Sequence, residues 1–126
     1  MLNWLAVGVG GAFGSITRYG IAVAIGTHLG SKWPWATFLA NVSGSLLIGA
    51  LYVLLIEKNL LPEQFRGLLI VGFLGGLTTF STYSLEVIRL IELQEFQLAA
   101  LYSCGSLVTC LASVWGAIIL FRALYL

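Results

Sequence analysis

Residues 72–84 hold the densest set of groups in this chain that could do chemistry. Two adjacent glycines precede a run of hydroxyl side chains, and the whole segment is uncharged. Glycine and β-branched threonine both weaken an α-helix. Within a membrane, the carbonyls freed by a break must be buried in protein or line a polar cavity, where they can hold a cation. The pattern predicts a broken helix with an ion site near Gly75 and Thr78; a kinked helix whose hydroxyls bond their own turn is the alternative.

Aromatic and polar side chains around this segment predict a path for a small anion. Phe80 and Tyr83 stand three residues apart and share a helix face, and the edge of an aromatic ring is electropositive. Asn41 carries two amide donors, which suit an anion. Hydroxyl groups recur nearby at helical spacing, at Thr37, Ser81, Thr82, Tyr102 and Ser106. Simple ring packing and an interhelical bond from the asparagine are the alternatives.

Two charged residues border these groups. Arg18 is the one charge in residues 4–26, and Glu86 directly follows the uncharged run 67–85. Ionisable side chains within a membrane span usually face the bundle interior or water. We therefore expect Arg18 in an anion vestibule, or snorkelling to the interface, and Glu86 at a pore mouth or among the headgroups.

Enzyme chemistry has little support in the sequence. The chain has one histidine, and Cys104 and Cys110 have no partner ligands at metal-binding spacing. A set of serine, histidine and aspartate within the apolar segments is also missing, and so is a phosphate-binding loop. The residue types favour a binding or conduction site over a catalytic one.

The composition places these groups in a membrane protein. The chain has 126 residues, of which 60% are hydrophobic and only 9% charged, and its mean hydropathy is +1.01. Soluble domains carry about 25% charged residues, so a soluble domain is excluded. The net charge of +1 also argues against a nucleic-acid-binding protein, which would need a basic patch.

The apolar runs predict an all-α membrane protein with four transmembrane helices, because a helix needs about 20 mostly apolar residues to cross the bilayer. The runs do not alternate between apolar and polar residues as the strands of a membrane β-barrel would. Residues 1–126 form one domain in this interpretation, with no linker. The predicted helices cover about residues 4–26, 33–56, 65–91 and 96–122.

The basic residues give almost no preferred orientation. With four spans, Lys58, Arg66 and Arg122 lie on one side of the membrane, against Lys32 and Arg89 on the other. Lysine and arginine near the helix ends set orientation. A balance this close predicts insertion in both orientations and an antiparallel homodimer; a single fixed topology is the alternative.

Three motifs together resemble the Fluc/CrcB family of fluoride channels, and the similarity covers essentially the whole chain. The motifs are residues 11–19, residues 41–49, which begin Asn-Val-Ser-Gly, and residues 72–84. The resemblance implies an antiparallel, dual-topology homodimer in the bacterial inner membrane. Two pores would export fluoride passively from the cytoplasm, and a structural sodium ion would lie at the dimer centre.

The resemblance also implies roles for individual residues. The backbone carbonyls of Gly75 and Thr78 would hold the sodium ion, two from each subunit. The fluoride path would include Arg18, Asn41, Phe80, Ser81, Thr82, Glu86, Tyr102 and Ser106. The second ring of the family's phenylalanine pair is Tyr83 here, which leaves the conduction rate open.

A small proton-coupled multidrug exporter of four spans is the competing interpretation. Such a transporter needs a carboxylate embedded in the membrane, typically in its first helix. Residues 4–26 contain Arg18 and no acidic residue. The sequence therefore favours the channel.

Overall fold

The computed structural model describes residues 1–28 and 31–125, and within these ranges the secondary structure is helical. The five helices are α1 (Leu2–His28), α2 (Trp35–Leu51, continued by a π-helix, Tyr52–Glu57), α3 (Glu63–Phe65, a π-helix Arg66–Leu74, and Gly75–Leu77), α4 (Phe80–Glu92) and α5 (Phe96–Leu124). Helix α1 extends to His28, beyond the predicted helix end at residue 26. Residues 29 and 30, which follow it, lie outside the described residues.

Within residues 1–28 and 31–125, three helical stretches are long and apolar enough to cross a membrane: Trp35–Glu57, Glu63–Glu92 and Phe96–Leu124. Helix α1 is not among them. It has 27 residues, which at 1.5 Å per residue gives a length of about 40 Å, but glycines, hydroxyl residues and Arg18 lower its hydropathy. A fourth crossing by α1 therefore stays a prediction.

Helices α1 and α3 pack with their backbones in close contact. A Cβ atom on Gly10 or Gly14 would collide with the backbone oxygen of Leu68 or Phe73, respectively, on α3. In the other direction, a Cβ on Gly76 would lie 2.5 Å from the carbonyl oxygen of Gly11. Small residues four apart allow this approach in lipid, where no hydrophobic effect drives helices together. The pairing holds the end of α3 firmly against α1.

Two ion pairs connect α2 and α5 at opposite ends of the bundle. Lys32, just before α2, pairs with Glu95, just before α5. At the other end, Glu57 closes the π-helical extension of α2 and pairs with Arg122 near the end of α5. Since both starts meet and both ends meet, α2 and α5 run parallel. In the chain between them, α3 and α4 run in the opposite direction.

Much apolar surface is left outside the packed interior. One buried cluster consists of Ala40, Leu74 and Leu77, and another of Leu90, Ala99 and Tyr102. Large apolar side chains such as Phe13 and Trp115 are exposed along the helices. An apolar exterior of this extent fits contact with lipid or with further protein.

Candidate ion-conduction site

The helical path between α3 and α4 is interrupted at Thr78 and Thr79. Both residues have extended backbone, with ψ angles of 155° and 123°. The predicted break is confirmed, but it lies after the glycine pair, because Gly75 and Gly76 still belong to the last turn of α3. The Thr79 hydroxyl accepts the N–H of Thr82 at 3.2 Å and so caps the start of α4.

Asn41 on α2 binds both backbone groups of Thr79. Its Nδ2 donates to the Thr79 carbonyl at 3.1 Å, and its Oδ1 accepts the Thr79 N–H at 2.8 Å. The sequence-based interpretation gave Asn41 two donors for an anion, with an interhelical bond as the alternative, and the structure shows such a bond. In the structure one of these donors serves the backbone, so Asn41 positions the break and keeps a single N–H for other partners.

These contacts redirect two specific N–H groups. In a continuous α-helix, the N–H of Thr79 would bond the carbonyl of Gly75, and the N–H of Thr82 would bond the carbonyl of Thr78. Here the first N–H binds Asn41 and the second binds the Thr79 hydroxyl. The carbonyls of Gly75 and Thr78 are therefore deprived of their helical donors.

A pocket of about 370 Å³ opens beside the break. It brings together six of the predicted site residues, namely Asn41, Gly75, Thr78, Phe80, Tyr83 and Ser106. The ring centroids of Phe80 and Tyr83 are 5.4 Å apart. The hydroxyl of Ser106 is buried without a hydrogen-bond partner among the described residues. Two rings thus line one space, and Ser106, whose hydroxyl is buried, belongs to its wall.

Tyr83 is held in place by its own hydroxyl. The phenol donates to the backbone carbonyl of Ser103 on α5 at 2.9 Å. Its ring lies 5.4 Å from that of Tyr102, measured between centroids. Phe80 differs, because 77% of its surface is exposed. The fold therefore fixes the second ring and leaves the first uncovered.

A second pocket, of about 310 Å³, also reaches the break, because Thr79 lines it together with Arg18, Thr37, Thr82 and Glu86. Glu86 accepts hydrogen bonds at 2.7 Å from the hydroxyl of Thr37 and at 2.7 Å from that of Tyr102. Tyr102 is fully buried. The carboxylate is thus held by groups from α2 and α5.

Two of the predicted residues, Ser81 and Tyr102, line neither pocket. Ser81 is exposed, and its hydroxyl lies 3.3 Å from that of Thr79, whereas Tyr102 is buried and contributes through its bond to Glu86. Sequence reasoning also missed Thr79, which lines both pockets. The available signal was the preference for threonine at a helix N-cap, here directly before Phe80.

Comparisons with known proteins agree with this architecture. Residues 5–118 match the family described as CrcB-like protein, Camphor Resistance (CrcB). A relative from Nitrobacter winogradskyi is 44% identical over 120 residues, which is 95% of this chain and 95% of that protein. One from Geobacter metallireducens is 40% identical over 124 residues, covering 98% and 100%.

A relative from Coxiella burnetii is 36% identical over 126 residues, covering 98% of this chain and 100% of that protein. All three relatives carry the name fluoride-specific ion channel FluC. The family match and these relatives extend over nearly the full length of the chain, including all three motifs. The chain belongs to the CrcB family.

Proposed function

We propose that this multi-pass membrane protein is a channel that conducts fluoride passively down its electrochemical gradient. The observation that carries the proposal is the pocket beside the helix break, where Phe80, Tyr83 and Ser106 line one space. Relatives that are 36–44% identical carry the name of a fluoride-specific ion channel. Both the site and the family favour a channel over an enzyme.

Selectivity would come from partial replacement of the water around the ion. Electropositive ring edges and the Ser106 hydroxyl, which is buried without a partner among the described residues, can stabilise an anion without a full positive charge to trap it. The remaining N–H of Asn41 adds a donor. Conduction requires binding strong enough for entry and weak enough for release, and neutral donors of this kind meet both conditions.

Arg18 and Glu86 would shape the second pocket electrostatically. Arg18 lines it and attracts anions, since a basic group at a pore mouth raises the local anion concentration. Glu86 has the opposite charge, but its two oxygens accept hydroxyl hydrogen bonds from Thr37 and Tyr102. Those bonds hold the carboxylate in place and moderate its repulsion of an anion.

A structural sodium ion fits the carbonyls of Gly75 and Thr78. Both carbonyls have lost their helical donors, and an added Cβ on Gly75 would meet no atom within 4 Å. Unwound backbone carbonyls are the groups that coordinate sodium in transporters with broken helices. Bound sodium would supply positive charge to these oxygens and stabilise the break.

A second copy of the chain, inserted in the opposite orientation, would complete the site. Phe80 is largely exposed in one protomer, and Gly75 faces open space. An antiparallel two-fold dimer of four-span protomers would cover both residues. The nearly equal numbers of basic residues at the two ends of the bundle favour such dual insertion.

Fluoride efflux from liposomes tests the function. Vesicles containing the purified protein and loaded with potassium fluoride should release fluoride when an ionophore dissipates the membrane potential. Vesicles loaded with chloride should retain their anion. Fluoride release no faster than from protein-free vesicles, in a preparation that is folded by size-exclusion chromatography, would contradict the proposal.

The competing multidrug exporter has no support from the site or the comparisons. Helix α1 carries Arg18 and no acidic residue, so it lacks the carboxylate that proton-coupled cation exchange needs. The named relatives are channels.

A further inference from the structure

We propose that Thr79 is the point at which fluoride passes from one pocket to the other. This inference rests on the proposed function and adds a residue to its pathway. Among the described residues that line the two pockets, Thr79 is the one they share. An ion that moves directly from one pocket to the other would pass this shared residue, at the junction of the two pockets.

The backbone of Thr79 is fixed from the side of the larger pocket. Asn41 lines that pocket and binds both the N–H and the carbonyl of Thr79, at 2.8 and 3.1 Å. The backbone amide therefore has no free hydrogen to offer an ion. Its two bonds hold the residue in the extended conformation that separates α3 from α4.

The side chain of Thr79 is held by Thr82. Its hydroxyl oxygen accepts the N–H of Thr82 at 3.2 Å, and its hydroxyl hydrogen is donated to the Thr82 hydroxyl at 3.1 Å. Thr82 lines the smaller pocket together with Arg18. Two hydroxyl groups, those of Thr79 and Thr82, thus line the smaller pocket together with the basic side chain of Arg18.

This arrangement lets the Thr79 hydroxyl serve an ion without moving its oxygen. The N–H of Thr82 holds the oxygen, so the O–H can rotate from Thr82 to an anion at the junction and back again. Thr82 then recovers its partner when the ion leaves. The exchange replaces one hydrogen bond by another, as a conduction site that must not trap its ion requires.

A purely structural role of Thr79 as an N-cap is the competing explanation. The variant Thr79→Asp distinguishes that role from a role in conduction. Aspartate caps helices as well as threonine does, so Thr79→Asp should keep the start of α4 intact. A carboxylate at the junction would repel fluoride from both pockets. We expect Thr79→Asp to abolish fluoride efflux in liposomes while it elutes as folded protein.

Substitution of Thr79 by serine or valine tests the contribution of its hydroxyl group. Thr79→Ser keeps the hydroxyl and should conduct within about threefold of the parent, whereas Thr79→Val loses a donor to a charged ion and should conduct at least roughly tenfold more slowly. The matched control is Thr17→Val, because Thr17 is exposed on α1 and its hydroxyl bonds only the Phe13 carbonyl of its own helix. That control should conduct like the parent.

The outcomes distinguish this inference from the function on which it rests. If the parent protein releases no fluoride, the proposed function fails. If the parent conducts and folded Thr79→Asp conducts equally well, the junction is wrong and Thr79 is only a cap. Should Thr79→Asp not fold, Thr79→Asn provides the same test, because asparagine caps equally well and its bulkier side chain would obstruct the junction; parental efflux by that variant would overturn the inference.

Discussion

Asn41 and Thr79, on opposite sides of a helix–helix contact, are joined by two hydrogen bonds that run in opposite directions. The carboxamide accepts the Thr79 N–H at 2.8 Å and donates to the Thr79 carbonyl at 3.1 Å. One side chain thus satisfies both polar groups of an extended residue, which a membrane span must pair with protein or with a polar cavity. The break depends on α2 as much as on its own sequence.

Removing the carboxamide should therefore lower the stability of the protein and also slow its fluoride efflux. Asn41→Leu leaves two backbone groups of Thr79 unpaired, each at a cost of about 1–3 kcal/mol. We expect a lower unfolding temperature in detergent and little fluoride efflux. Asn41→Asp keeps the acceptor for the Thr79 N–H and should fall between the parent and Asn41→Leu in stability.

Asn3→Leu is the matched control for the loss of an asparagine. Asn3 is exposed near the start of α1, and it lines neither pocket. The unfolding temperature and the fluoride efflux of Asn3→Leu should match those of the parent. An Asn41→Leu variant as stable as this control would show that Asn41 does not hold the break.

The Tyr83 hydroxyl is predicted to contribute to the stability of the fold. Tyr83→Phe removes the bond to the Ser103 carbonyl and should lower stability by about 0.6 kcal/mol, the average for a hydrogen bond between membrane helices. Fluoride efflux should persist, because the ring and its electropositive edge remain beside Phe80. Paired measurements of unfolding and efflux check both statements. Loss of efflux at unchanged stability would instead place the hydroxyl itself in the conduction path.

The sequence was informative about where the third apolar segment breaks because glycine and threonine act locally. It could not locate the break to the residue, since Thr79 is held by Asn41, which lies 38 positions earlier in the chain. No local pattern encodes such a partner. An interhelical bond from Asn41 was the alternative to an anion donor, but the sequence could not name the Thr79 backbone as its partner, so the importance of Thr79 went unseen.

The spacing of small residues is informative in the same limited way. Small residues four apart allow helices to pack closely in lipid, and Gly10 and Gly14 do so against α3. For Gly116, the same spacing with Ala112 gives no such contact, because an added Cβ there would meet nothing within 4 Å. Spacing shows that a face can pack closely, whereas the partner of that face depends on the whole fold.

Thr37 and Tyr102 should behave as a coupled pair because both donate to Glu86 at 2.7 Å. Thr37→Val and Tyr102→Phe each leave one carboxylate oxygen without that donor. Residues in one hydrogen-bond network show interaction energies of about 0.5–3 kcal/mol. We expect the double variant's loss of stability to differ from the sum of the single losses by at least the lower figure.

A double-mutant cycle of unfolding free energies measures this coupling. Ser84→Ala combined with Thr37→Val is the control, because the Ser84 hydroxyl bonds only the Phe80 carbonyl of its own helix. That pair should be additive. Additivity in the Thr37 and Tyr102 pair as well would mean that Glu86 does not join α2 to α5 energetically.

The contact between α1 and α3 gives the largest predicted effect of a single methyl group. A Cβ at Gly14 would collide with the backbone oxygen of Phe73, and its next contact would be the Leu77 nitrogen at 2.9 Å. Backbone atoms cannot turn aside as a flexible side chain can, so Gly14→Ala must push the helices apart. Overpacking of this kind costs about 1–3 kcal/mol, and the displaced segment directly precedes the break.

Gly8→Ala tests whether the effect belongs to the contact or to the substitution. Gly8 lies on the same helix, yet an added Cβ would meet nothing within 4 Å. Alanine is the better helix former by about 1 kcal/mol, so Gly8→Ala should be as stable as the parent or slightly more stable. Yield after detergent extraction, unfolding temperature and fluoride efflux should all fall for Gly14→Ala alone. Equal behaviour of the two variants would mean that α1 does not lie against α3 in the membrane. The smaller pocket, which α1 lines with Arg18, would then not form as described.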